Sequence, residues 1–235
     1  MSLGVIGGLG PMATACFLEL LTSMTDATCD QEHIETIIYS KPSIPDRTAF
    51  ILGESPADPV PEIISIARKL EAEGVDAIAV PCVTASYFRD RIGEVIKTPM
   101  FHGVDRSVSV IKEKGIRNVG LMATSGTIRT GILSDAFSRE GITAAVPGEG
   151  YQSKVMSLIY DYVKKGIAPD LTLLYDVYEH LRSRGAECVL FGCTELSVIN
   201  MRYDIKGDFF DILEMLAEES ITAAGGRVKR KDIHN

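Results

Sequence analysis

Tryptophan is absent from the 235 residues, histidine occurs four times, and positive charge is in deficit, with 24 Lys+Arg against 32 Asp+Glu. The resulting net charge of −8 excludes non-specific nucleic-acid binding, whose affinity comes from neutralising phosphates. No H-x-x-x-H or H-E-x-x-H spacing occurs, so the histidines supply no pattern for a catalytic metal. Cysteine stands at 16, 29, 82, 188 and 193 with no C-x-x-C pair. An odd count excludes a fully paired disulfide framework, and the spacing argues against a zinc knuckle. A reduced, cytoplasmic setting is expected. No run approaches the roughly 18 apolar residues that span a bilayer. Met1-Ser-Leu3 carries no basic leader, so neither a membrane span nor a signal peptide is expected. The short basic tail Arg227–Lys231 reads as a solvated terminus.

What is present is a 46% hydrophobic chain in which short apolar runs alternate with amphipathic segments. Strands are expected at Leu3–Ile6, Thr36–Tyr39, Ala77–Val80, Val119–Ala123, Thr143–Val146 and Cys188–Phe191. Helices are expected at Pro61–Glu73 and Leu171–Arg184, closed by Gly74 and Gly185, with another at about Phe210–Ala224. Alternating βα units mean parallel sheets with helices on both faces, so the fold class is α/β.

An internal echo divides the chain. Leu70-Glu-Ala-Glu-Gly-Val-Asp-Ala-Ile-Ala-Val-Pro-Cys82 reappears at a constant offset of 111 as Leu181-Arg-Ser-Arg-Gly-Ala-Glu-Cys-Val-Leu-Phe-Gly-Cys193. A looser pair, Gly4–Thr14 and Val119–Thr127, reads as two strand-to-helix turns rich in Gly and Thr. The reading is two pseudo-symmetric α/β domains, residues 1–99 and 100–209, with a C-terminal segment at about 210–235 packing back on the first. Sites in open parallel sheets form beyond the carboxyl ends of strands. The duplication puts Cys82 and Cys193 at equivalent strand ends, facing one cleft, while Cys16, Cys29 and Cys188 read as small buried hydrophobes. Two opposed thiols suit removal of a proton from one face of a carbon and delivery to the other. Both cysteines precede expected helices, whose N-termini should lower their pKa, with Thr84 and Thr194 as short hydrogen-bond donors.

Five motifs in order resemble the aspartate/glutamate racemase family over nearly the whole chain. They are Gly7-Gly-Leu-Gly-Pro-Met-Ala-Thr14, Asp30-Gln-Glu-His33, Ser43-Ile-Pro-Asp-Arg-Thr48, Pro81-Cys-Val-Thr84 and Gly192-Cys-Thr-Glu195. Gly192-Cys-Thr-Glu195 is similar to the aspartate branch, because glutamate racemases usually carry His at the position of Glu195 and Asp-Ser in the first turn. The resemblance implies a cofactor-independent racemase of an amino acid, active as a homodimer, with Cys82 and Cys193 as its two bases. It further implies a carboxylate held by Arg47, and a lysine closing over the ligand, Lys164 with Lys165 as the competing position. Gly8 and Gly10 would offer backbone N–H groups to the substrate carboxylate, and Thr124, Ser125 and Thr127 would do so in the second half. His33 reads as ordering its loop. A dinucleotide site is not supported, since the glycines are out of register with G-x-G-x-x-G. Val83 and Ser86 depart from the family pattern of Asn and His, and Val83 cannot donate a hydrogen bond. Aspartate, glutamate, another side chain, a diacid or hydantoin, and a non-catalytic ligand-binding role all stay open.

Overall fold

A computed structural model describes residues 1–229. Arg230, Lys231 and the rest of the expected C-terminal segment lie outside the described residues. Two four-stranded parallel sheets form, and they repeat one topology. In the first, β1 (Ser2–Gly7) lies between β2 (Glu35–Ser40) and β3 (Ala77–Ala79), with β4 (Met100–Phe101) at the edge. In the second, β5 (Asn118–Met122) lies between β6 (Thr143–Ala145) and β7 (Cys188–Phe191), with β8 (Phe209–Asp211) at the edge. The six expected strands are therefore present, and β4 and β8 are additions that close each sheet on one side.

Period-two alternation assigns the faces of the first sheet. Leu3, Val5, Ala77 and Ala79 point to one apolar cluster, shared with Phe17 and Leu21 of α1 (Pro11–Met24). Ile6 and Ile78 point to the other, against Ile63, Ile66 and Leu70 of α3 (Val60–Ala72). The crossover helices exchange partners. After β4, α5 (Val104–Glu113) packs Val104, Val108 and Ile111 against Val119 and Leu121 of the second sheet. After β8, α11 (Ile212–Ala223) returns Leu213, Leu216, Ala217 and Ile221 to the cluster of Leu3, Val5 and Phe17. Each fully buried Leu or Ile contributes about 1.5–3 kcal/mol, so the exchange binds the halves through their cores. Cys16 and Cys188 are buried as expected, whereas Cys29 is exposed, because it caps a surface turn at Asp30–Glu32 and no element covers it.

His102 sits at the first crossover, buried, with Nε2 lacking a hydrogen-bond partner. Burial, aided by the nearby Arg89, lowers its pKa to about 4. Between that value and the ordinary 6.5 the unfolded chain binds the proton and the folded one does not. Stability is then complete above pH 6.5 and falls as pH drops toward 4. The loss attributable to this side chain is about 3 kcal/mol. Urea unfolding at about pH 7.5 and about pH 4.5 should show that difference shrink by roughly that amount in His102→Gln.

Candidate active site

The repeated topology brings equivalent strand ends together. Cys82 follows β3 and Cys193 follows β7, and both line one enclosed chamber with Leu9, Arg47, Val83, Thr84, Thr124, Lys164 and Glu195. The Thr194 hydroxyl donates to the Pro81 carbonyl at 3.1 Å, tying the residue after one cysteine to the residue before the other. Thr84 joins Thr124 and Thr127 in a buried hydroxyl triangle with edges of 3.0, 2.9 and 3.1 Å, again across the halves. The enclosed volume is only about 10 Å³. It shares Leu9, Asp46, Arg47, Lys164 and Glu195 with a neighbouring vestibule of about 510 Å³ that Gly8, Gly10 and Met12 also line.

The two thiols stand in different surroundings. Cys193 is the N-cap of α10 (Thr194–Arg202), and its Sγ donates to Glu195 Oε2 at 3.0 Å. Burial and the Glu195 carboxylate push its pKa well above the usual thiol value, outweighing Lys164. The expected lowering at a helix N-terminus is thus reversed for Cys193. Cys82 precedes a short 3₁₀ segment, Val83–Phe88, rather than an α-helix, and the group facing it is the Arg47 guanidinium.

Arg47 opens α2 (Arg47–Leu52) and is buried. Its terminal nitrogens donate to the carbonyls of Ile44, Pro45 and Leu9, leaving Nε without a partner. Burial opposes its charge, yet Cys82, Asp46 and Glu195 outweigh that cost and raise its pKa. Most of its planar fork is therefore committed to the backbone. Lys164 is the lysine at the vestibule. Its Nζ lies 3.3 Å from Asp46 Oδ2, 4.0 Å from Glu195 Oε1 and 4.0 Å from the Tyr160 ring centroid. Burial disfavours the ammonium, but Glu195, Tyr160 and Asp46 raise its pKa to about 12. Lys165 instead pairs with Asp161 at 2.9 Å on the surface.

The glycines act through shape. Gly8 has φ +86, and its N–H donates to Thr14 Oγ1 at 2.9 Å, so that amide is already engaged. A Cβ on Gly8 would stand 2.4 Å from Lys41 N. Gly8→Ala should lower stability by roughly 2–4 kcal/mol through a disfavoured backbone and a main-chain clash, measured by urea unfolding. At Gly10 a Cβ would lie 2.9 Å from Glu195 Oε1, so the missing side chain makes room for that carboxylate. Ser125 is directed away from the thiols. Its hydroxyl accepts from Gln152 at 3.2 Å beside a separate cavity. Val83 is buried and joins the apolar cluster of Val104 and Val108.

Asp46 and Tyr160 are not among the residues that the sequence singles out as ligand-binding. Asp46 caps α2 through Ala49 N–H and accepts from Tyr160 Oη at 3.0 Å across the halves. Tyr160, whose pKa burial raises to about 12, lies in a π-helical turn, Leu158–Tyr162. No local pattern announces such a contact, because its partner is 114 residues away.

No helix among the described residues is long and apolar enough to cross a membrane. A family model described as Asp/Glu/hydantoin racemase matches residues 6–219. The chain is similar to aspartate racemase of Picrophilus torridus, with 34% identity, a TM-score of 0.83, and coverage of 97% of this chain and 96% of that one. It is 25% identical to the broad specificity amino-acid racemase RacX of Bacillus subtilis over 94% of this chain and 96% of the relative. An aspartate racemase homologue from Pyrococcus horikoshii shares the fold at a TM-score of 0.75 and 23% identity, covering 95% and 99% of the two chains. These relatives support an amino-acid racemase, an isomerase, and the chain belongs to the Asp/Glu/hydantoin racemase family.

Proposed function

We propose that the protein interconverts the enantiomers of an amino acid, aspartate first and glutamate second, by a two-base reaction of Cys82 and Cys193. The observation that carries this reading is the pair of thiols at duplicated strand ends in one enclosed chamber, each beside a different charge. In one direction the Cys82 thiolate takes the α-proton, and the electron pair remains on Cα. Cys193 S–H then gives its proton to the opposite face, so the product is inverted and the two sulfurs exchange protonation states. Turnover in the other direction uses the same atoms in reverse.

Arg47, Lys164, Thr84, Thr124, Thr127 and Thr194 are the groups assigned to substrate binding, with Gly8 and Gly10 shaping the entry. A chamber of about 10 Å³ has room for roughly one water molecule. Substrate entry therefore requires the Asp46–Tyr160 and Asp46–Lys164 contacts to part, and reclosure would exclude water around the thiolate. The same reading takes the protein as a cytoplasmic homodimer, and the division expected near residue 99 moves to just after β4, because Met100 and Phe101 pair with β3 of the first sheet. Sedimentation checks the dimer.

The test is deuterium incorporation at Cα from D₂O, screened by NMR across amino acids, dicarboxylic acids and hydantoins in cofactor-free buffer. Incorporation into aspartate or glutamate supports the proposal, and incorporation only into another class redirects it. Absence of exchange with every amino acid overturns it.

A further inference from the structure

Glu195 lines both the thiol chamber and the vestibule, is 5% exposed, and uses its two oxygens unequally. Oε2 accepts from Cys193 Sγ, whereas Oε1 is buried without a hydrogen-bond partner. The nearest cation to Oε1 is Lys164 Nζ at 4.0 Å, too far for a hydrogen bond. A buried carboxylate oxygen left unpaired is costly, and its natural complement is a donor brought in with the ligand. The other carboxylate of the vestibule, Asp46, is saturated by Ala49 N–H, Tyr160 and Lys164.

Resting on the racemase reading, we propose that Glu195 is the receptor for the substrate's α-ammonium group, taking it on Oε1 while Oε2 holds the Cys193 thiol. An ammonium group carries three donors and no acceptor, so it needs such an oxygen when it leaves water. The first turn, Gly7-Gly-Leu-Gly10, contributes no acidic side chain to compete for this role, and Gly10 leaves the space that Oε1 occupies. The arrangement couples binding to chemistry. An arriving cation offsets the negative charge beside Cys193 and loosens the carboxylate's hold on the proton to be delivered. It also stabilises the electron pair that forms on the adjacent Cα.

Glu195→Gln tests this, since it keeps shape and an acceptor but removes the charge. Calorimetry compares L-aspartate with succinate, which lacks the ammonium; if wild-type protein exchanges another amino acid faster, that acid and its deamino analogue replace them. Wild-type protein should prefer the amino acid, and the variant should lose roughly 10- to 100-fold of that preference, the worth of one charged hydrogen bond. Alkylation of the unliganded protein by iodoacetamide, read peptide by peptide at about pH 8, should be about tenfold faster at Cys193 in the variant, with Cys29 unchanged as the internal reference. An unchanged ligand preference overturns the ammonium role, and unchanged Cys193 alkylation overturns the coupling. Absence of exchange in the wild-type protein with any amino acid would instead fail the racemase reading, and the alkylation comparison would still decide whether Glu195 governs Cys193.

Discussion

Cys82→Ser and Cys193→Ser should each abolish enantiomer interconversion, lowering kcat on the order of 10³-fold, while leaving the fold intact. General acid or base catalysis by one positioned group contributes about 10²- to 10⁴-fold, and a serine hydroxyl is a far weaker acid than a thiol. The substitution replaces one sulfur of a buried apolar cluster by a smaller, polar oxygen, so the melting temperature should fall modestly while the fold persists. The two variants should not be equivalent. Cys193 is held as a thiol by Glu195, whereas Cys82 faces Arg47, and the proposed cycle starts with Cys82 as the base. Cys193→Ser should therefore still remove and return a proton on one face, giving slow deuterium exchange of one enantiomer without inversion. Cys82→Ser loses that base, and its remaining exchange, if measurable, should occur on the other enantiomer. Interconversion within about tenfold of wild type in either variant would remove that cysteine from the reaction.

Arg47→Ala should damage stability and substrate binding together. Its guanidinium joins the β1–α1 turn, through the Leu9 carbonyl, to the loop before α2, through the Ile44 and Pro45 carbonyls. Truncation strands these acceptors in a buried setting, at a cost of about 3 kcal/mol. For a chain of this size that corresponds to a fall in Tm of roughly 6–12 °C. The site also loses the cation beside Cys82, so KM should rise and kcat should fall on the order of 10²-fold or more. Arg47→Lys should recover little of either, because one ammonium on a flexible stem cannot reach three carbonyls in a planar array. Differential scanning calorimetry with steady-state kinetics checks both effects. A Tm and KM near wild type for Arg47→Lys would mean that charge alone matters at this position.

The parts legible in the sequence were those set by local pattern. The duplicated segments ending at Cys82 and Cys193 gave the repeated strand-end geometry, and apolar periodicity gave the helices Val60–Ala72 and Leu171–Ser183 within a residue or so. Met100–Phe101 and Phe209–Asp211 escaped because edge strands of two or three residues carry no alternation to detect. The site was legible in its residue types more than in its bonding. Arg47 reads as an open fork for a carboxylate, but backbone carbonyls from distant positions occupy most of it. The helix that starts just after Cys193 suggests a lowered pKa, but burial and the neighbouring Glu195 carboxylate dominate. Asp46 and Tyr160 meet only after the halves close on each other, a contact that no spacing along the chain encodes.

The central claim, proton exchange on opposite faces by two thiols, is tested most directly by isotope position during early turnover in D₂O. Starting from enantiopure L-aspartate, or from whichever amino acid the protein exchanges fastest, the two enantiomers are separated and their Cα deuterium content measured. The expected result is a product carrying deuterium from the first turnovers, while the remaining substrate keeps its protium. Deuterium entering both enantiomers equally from the outset would mean a single base serving both faces, and would contradict the account.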